Sequence, residues 1–200
     1  MSIYGGRRRP LVVWLTRFFI RIIFPFFFKI RIRGLENLPL LSSFILFPKH
    51  QRWEDIPIIG LVVPKPLYYI AKHELFINPV SSYLISSMGG IPLNRKRPRE
   101  SYDAIINMLD RLKDGEGVVI FPEGTYFEGY MGPGKTGLLR MIQPRLGFPF
   151  VPVGIRYARQ GMRTRVFVHF GKPVTKDLKE VIGNFSDLIM KEIARLSGLK

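Results

Sequence analysis

His50 and Asp55 are the residues of this sequence whose types and spacing could move a proton. A histidine held by a carboxylate is a base in a fixed tautomer, able to take a proton from a hydroxyl. Five residues apart on one regular helix, the two would point roughly 140° away from each other. Contact therefore requires His50 on a loop and Asp55 in or before the first turn of a helix. The flanks allow this: Phe44-Ile45-Leu46-Phe47 reads as a buried strand ending in Pro48 and Lys49, and Ile56-Pro57-Ile58-Ile59 follows Asp55. Ends of strands are where α/β proteins place their chemistry. On spacing alone a plainer reading stands level with this one. Asp55 would be the N-cap of a helix starting at Ile56, with Pro57 in its first turn and His50 an idle loop residue.

Two further stretches bring polar residues to strand ends. Ile91-Pro92-Leu93 runs into Asn94-Arg95-Lys96-Arg97, either a solvated basic face or an anion site. Val118-Val119-Ile120-Phe121 reads as a central strand and delivers Pro122-Glu123-Gly124-Thr125 to the same face. Cys is absent, which excludes disulfides, thiolate metal sites and a Cys nucleophile. The three histidines are scattered, so no metal site is expected, and His73 and His169 read as structural. The run from Gly129 to Thr136 matches the P-loop pattern letter for letter. No strand leads into it, however, Pro133 removes an amide the phosphate cradle needs, and Gly137 and Pro144 leave at best a short helix. Nucleotide hydrolysis is set aside, while Lys135 stays a candidate neighbour of a phosphate.

The elements that must position these residues follow from the patterning. Lys29-Ile30-Arg31-Ile32-Arg33 alternates as an edge or half-exposed strand should. Leu67 to Ala71, Phe148 to Ile155 and Arg165 to Gly171 read as further strands. Helices are expected over Ile56 to Val63, Val80 to Met88, Glu100 to Lys113 and about Leu178 to Leu196. Their alternation over 200 residues gives a single α/β domain with a mostly parallel or mixed central sheet flanked by helices.

The N-terminus differs. Arg7, Arg8 and Arg9 read as part of a mobile basic arm, followed by an almost wholly apolar helix from Pro10 to Phe24 that carries Arg17 and Arg21 on one face. Burying each arginine at a bilayer centre would cost roughly 2.5–3.5 kcal/mol, which argues against a simple span. No small-residue cleavage site follows, which argues against a secretory signal. The expected arrangement is an interfacial amphipathic helix, with Phe18, Ile22 and Phe26 among acyl chains and Arg17 and Arg21 at the headgroups; packing on the protein's own core is the alternative. Residues 1–27 would form this arm and helix and residues 28–200 the main domain. The formal net charge of +16 calls for an anionic partner: nucleic acid, an acidic membrane, phosphorylated substrates or acidic carrier proteins.

Taken together, His50-x4-Asp55, Gly90-Ile91-Pro92-Leu93-Asn94-Arg95, Phe121-Pro122-Glu123-Gly124-Thr125 and Val151-Pro152-Val153 stand in the order of four blocks of a known family. The chain resembles the glycerolipid acyltransferases, most closely the bacterial 1-acylglycerol-3-phosphate O-acyltransferases, from Phe28 to its C-terminus. The resemblance implies acyl transfer from acyl-CoA or acyl-carrier protein to the hydroxyl of lysophosphatidic acid, giving phosphatidic acid in phospholipid biosynthesis. It makes His50 the general base and Asp55 its orienting partner, and so favours catalysis over the plainer reading. It makes Arg95 the ligand of the acceptor phosphate, with Glu123 and Gly124 positioning the acceptor, backbone amides around Gly124 and Thr125 assisting the phosphate or the oxyanion, and Pro152 marking the fourth block. It implies no cofactor beyond the acyl donor, and a monotopic or peripheral protein on the cytoplasmic face of the inner membrane.

Two positions depart from the family pattern. Tyr126 stands where the third block commonly carries Arg, and Arg52 where the first often carries Ser. Either Arg52, Lys96, Arg97 or Lys135 supplies the missing charge, or the acceptor is a different lysolipid. A non-catalytic lipid-binding module of the same fold, and a nucleic-acid binder suggested by charge alone, are the competing classes. Binding of anionic liposomes over nucleic acid is expected.

Overall fold

In the computed structural model the chain is described over residues 8–135, 147–174 and 185–199. The apolar runs become strands, bounded by Pro and Gly as the sequence indicates. In chain order the elements are α1 (Pro10–Phe27), β1 (Phe28–Arg33), β2 (Phe44–Pro48), α2 (Asp55–Val62), β3 (Leu67–Lys72), α3 (Pro79–Ser87), β4 (Gly90–Leu93), α4 (Pro98–Lys113), β5 (Gly117–Val119), β6 (Phe150–Gln160), β7 (Arg163–Phe170) and α5 (Phe185–Ser197). The part of the last expected helix between 178 and 184 lies outside the described residues.

A seven-stranded sheet takes the order β1-β7-β6-β2-β5-β3-β4. All neighbours pair in parallel except the β6–β7 hairpin, so β1 and β7 run against the other five. This is the mixed α/β sheet expected. Pleating splits the core in two. Phe44 and Leu46 pack with Phe24 of α1 and Ile58 and Ile59 of α2 on one face. Ile45 and Phe47 pack with Ile105 and Met108 of α4 and Ile189 and Ile193 of α5 on the other. The C-terminal ends of β2, β5, β3 and β4 therefore meet at one edge of the sheet, where Lys72 ends β3 and the loops after β2, β5 and β4 carry His50, Glu123 and Arg95.

Two expectations are corrected. β5 is shorter than the run Val118 to Phe121: Ile120 still donates to the Leu46 carbonyl at 2.9 Å, but Pro122 cannot donate and the chain turns at Gly124. The basic arm is pinned from Arg8 onward. Arg8 pairs with Glu116 and lies over the Tyr68 ring at 4.3 Å. Arg9 donates its amide to the Ser87 carbonyl at 2.9 Å and its guanidinium to the Tyr83 hydroxyl at 2.7 Å. Arg7 lies outside the described residues.

Candidate active site

Asp55 opens α2 but does not cap it. The N-cap position is Glu54, which makes no side-chain capping bond. The Asp55 carboxylate instead turns back onto the preceding loop, fully buried. Its Oδ2 lies 3.2 Å from His50 Nδ1 and accepts the amides of Gln51 at 2.6 Å and Arg52 at 2.8 Å. Its Oδ1 accepts the Tyr157 hydroxyl at 2.6 Å. With donors on every side, the carboxylate acts as acceptor toward the ring, so the network places the His50 proton on Nδ1 and leaves Nε2 as the free base. The ring stacks on Phe121 with centroids 3.8 Å apart and meets Tyr126 edge-on at 4.4 Å. Burial, together with Asp55 and Glu54, pushes the Tyr126 phenol upward, so it remains a neutral hydroxyl beside the base.

Below His50 lies a second buried pair. Glu123 and Lys49 have fully buried side chains and meet at 2.8 and 2.9 Å. Glu123 accepts the His50 amide at 2.9 Å, and the Lys49 ammonium reaches the His50 carbonyl at 3.2 Å. The pair thus grips both ends of the His50 residue. Desolvation lowers the Lys49 pKa, and the bond to Glu123 opposes that shift. Glu123 does not line the cavity described below and is held in this gripping position beneath His50. The glycine-rich loop after it serves the same end: Gly132 donates its amide to Glu123 at 2.7 Å and Gly129 donates to the Gln51 side chain at 2.8 Å. Those amides are committed to side chains of this chain, not to a phosphate cradle. Thr136, the last position of the P-loop pattern, lies outside the described residues.

Arg95 and Gly124 converge. Gly124 has φ +65°, and a Cβ built there would lie 2.8 Å from the Arg95 Cζ. The positive φ favours glycine, and the Arg95 guanidinium lies directly across it. Arg95, Gly124, Thr125 and His50 share the polar end of a cavity of about 690 Å³. From there the walls turn apolar, through Phe121, Ile70 and Leu93 to Ile56 and Leu61, and reach Val13 and Ile20 of α1. Lys72, at the end of β3, also lines this space.

Several expected residues stand elsewhere. Arg17 is not turned out to headgroups: it is half-buried at the cavity wall and donates to the carbonyl of Val63, at the end of α2, at 2.9 Å. Burial, then Arg21, lowers its pKa. Phe18, Arg21, Ile22 and Phe26 lie on the free flank of α1, where Phe24 is the buried residue. Lys135 is exposed, does not line the cavity, and is tied through its amide to the Pro122 carbonyl at 2.7 Å. Pro152 is buried in β6 opposite Phe47, accepts the Gly171 amide at 2.8 Å and does not line the cavity. Arg52 pairs with Glu128 and lies over Tyr157 at 4.8 Å, so its charge is already engaged.

Sequence reasoning missed Lys49, Gln51, Lys72 and Tyr157. Lys49 had a usable signal, since a lysine directly after a wholly buried strand needs a buried partner. Tyr157 had none, because it reaches Asp55 from 102 residues away.

Fold and site together define an α/β domain with a buried histidine–carboxylate pair at the head of a long apolar cavity, at the C-terminal edge of its sheet. The Acyltransferase family profile matches residues 29–156, and the chain belongs to that family. It is 32% identical over 183 residues to a chloroplastic 1-acyl-sn-glycerol-3-phosphate acyltransferase of Brassica napus, covering 85% of this chain and 50% of that protein. It is 29% identical over 162 residues to a lyso-ornithine lipid O-acyltransferase of Pseudomonas aeruginosa, covering 79% and 59%. The crystal structure of the 1-acyl-sn-glycerophosphate acyltransferase of Thermotoga maritima superposes with a TM-score of 0.66 at 26% identity, covering 90% of this chain and 79% of that one. The chain spans about half the length of the first curated relatives it matches.

Proposed function

We propose that this chain is a membrane-associated O-acyltransferase that moves a fatty acyl group from a thioester, acyl-CoA or acyl-carrier protein, to the free hydroxyl of 1-acylglycerol-3-phosphate, giving phosphatidic acid. One observation carries the reading. His50, oriented by Asp55 at 3.2 Å, stands where a cationic, glycine-lined pocket end meets an apolar cavity that runs to α1. His50 Nε2 takes the acceptor's hydroxyl proton as that oxygen attacks the thioester carbonyl carbon. The carbon–sulfur bond breaks, and the leaving thiolate takes the proton from the imidazolium. The chain has no Cys and no covalent nucleophile is needed. Arg95 and Lys72 suit the acceptor's phosphate, while the apolar walls suit its acyl chain and that of the donor. The exposed flank of α1 sits in the membrane interface on the cytoplasmic side, so lysolipid enters the cavity without crossing water.

A second acceptor is favoured by one observation: Tyr126 brings no charge to the polar end and Arg52 is spent on Glu128, so a zwitterionic or amino-acid lysolipid fits in place of the phosphate. Purified protein given labelled acyl-CoA, acyl-carrier protein and a panel of lysolipids tests both. Transfer to lysophosphatidic acid that falls about 100- to 10,000-fold in His50→Ala is expected. Transfer only to another lysolipid would replace the acceptor, and transfer that survives in His50→Ala would sink the mechanism.

A further inference from the structure

The outer part of the sheet has two unlike faces. On β1, β7 and β6 the pleat sends Ile30, Val166, Val168 and Ile155 to the face that packs under α1. It sends Lys29, Arg31, Arg33, Arg163, Arg165 and Arg156 to the opposite face. The register sets Lys29 beside Arg165, and Arg31 and Arg156 on either side of Phe167. The Arg156 guanidinium lies over that ring at 4.5 Å and Arg165 at 5.9 Å. None of these cations is paired with a carboxylate among the described residues, and Arg165 Nε is buried with no hydrogen-bond partner among them. Glu192 of α5, near enough to feel His169, is bound instead to Arg195. Like charges set side by side across strands destabilise the sheet that carries them. Such a concentrated basic surface suits an anionic partner.

The geometry narrows that anion. A bilayer that takes up the free flank of α1 lies on the far side of the sheet, so the partner is soluble. The basic face also starts next to the site: Gln51, adjacent to His50, donates its side chain to the Ile155 carbonyl at 2.6 Å, and Arg156 is the next residue. Lys29, Arg31 and Arg33 repeat at roughly 7 Å along one strand, with further cations on two neighbouring strands about 5 Å apart. That grid is wider than one nucleotide's phosphates and suits an acidic protein surface. We propose that the basic face of β1, β7 and β6 docks an acidic carrier protein that holds the acyl group as a thioester. The proposal rests on the acyl-transfer reading above and selects the donor within it.

Arg31→Glu combined with Arg156→Glu tests it in the full chain, on neutral phosphatidylcholine vesicles with the lysolipid acceptor. Both positions are exposed and outside the cavity. The variant's kcat/KM with acyl-carrier protein should fall at least about tenfold, through KM, and the wild-type value should fall as salt rises. With acyl-CoA of the same chain length the two proteins should agree within about twofold. Equal losses with both donors, or no loss with the carrier, would overturn the proposal. So would unchanged donor kinetics with weakened binding to anionic vesicles or to nucleic acid, which would hand the face to those partners. Wild-type turnover with acyl-CoA but never with the carrier defeats this proposal alone, whereas no turnover with either donor defeats the acyl-transfer reading beneath it.

Discussion

Two buried carboxylates stand on either side of His50, and they do different work. Asp55 meets the imidazole ring, whereas Glu123 holds the backbone amide of the same residue and neutralises Lys49. Removing one partner of a buried pair leaves the other charged and unsolvated, at a cost of about 3–5 kcal/mol. Glu123→Ala should therefore lower stability by that order in urea unfolding, with activity lost alongside folding. A residue that merely contacted the acceptor would raise KM and leave the unfolding midpoint unchanged. Tyr157→Phe removes the donor on Asp55 Oδ1, and bonds to charged groups contribute about 1.5–3 kcal/mol. Burial and the Asp55 charge hold the Tyr157 phenol above its ordinary 10.0, so the native state keeps that proton more tightly than the unfolded chain. Its contribution is then fully present below about pH 10 and is lost as pH rises through the raised native value. The variant should be less stable than wild type at neutral pH, with the gap closing only in strong alkali, as read by unfolding curves at several pH values. Of these residues, the His50–Asp55 pair was one of two level readings of type and spacing, and the family resemblance favoured it. The pairing of Glu123 with Lys49 was only half legible: a lysine directly after a buried strand signals a buried partner, but a linear reading does not say that the partner lies 74 residues away.

At the scale of elements, the strands and helices were legible because apolar runs, Pro and Gly mark them out. Their ends were less so, since β5 stops where the ladder stops and not where the apolar run does. Strand order was beyond reach: β1 pairs with β7 and β2 lies between β5 and β6, contacts between distant segments that no local pattern encodes, whereas the β6–β7 hairpin closes locally through Gly161 and Met162. α1 was legible as an apolar helix, and its two arginines were read as equivalent because they share one face. The structure separates them. Arg17 fastens α1 to the end of α2, whose last carbonyls need donors, while Arg21 stays exposed. Arg17→Ala should loosen this junction at a cost of about 1 kcal/mol, visible as faster proteolysis within α1 and a lower melting temperature. A headgroup role would leave both unchanged and weaken binding to anionic vesicles instead.

At the scale of the molecule, three surfaces meet the environment in different directions. The free flank of α1 exposes Leu11, Trp14, Phe18, Ile22 and Phe26. The cavity opens beneath that helix, with the exposed Trp53 and Ile56 at its wall, and the basic sheet face looks the opposite way. On the proposed function and the proposed docking face, lipid would arrive from one side and a soluble donor from the other, with His50 between them. The helix is long and apolar enough to cross a bilayer by length and composition, at a mean hydropathy of 1.6, yet it is docked through Phe24 and Arg17 onto the domain. That docking suits a helix lying in the interface. Burying each large apolar side chain in the acyl region contributes about 1.5–3 kcal/mol. Phe18→Asp with Ile22→Asp should then weaken partitioning onto vesicles at least about a hundredfold, while leaving the melting temperature in detergent within a degree or two of wild type. The protein's two tryptophans, Trp14 and Trp53, both exposed, report the event directly: their emission should shift to shorter wavelength when wild type meets vesicles and stay put in the variant. An equal shift in both proteins would mean that α1 covers another protein surface and that lipid reaches the cavity by a different path.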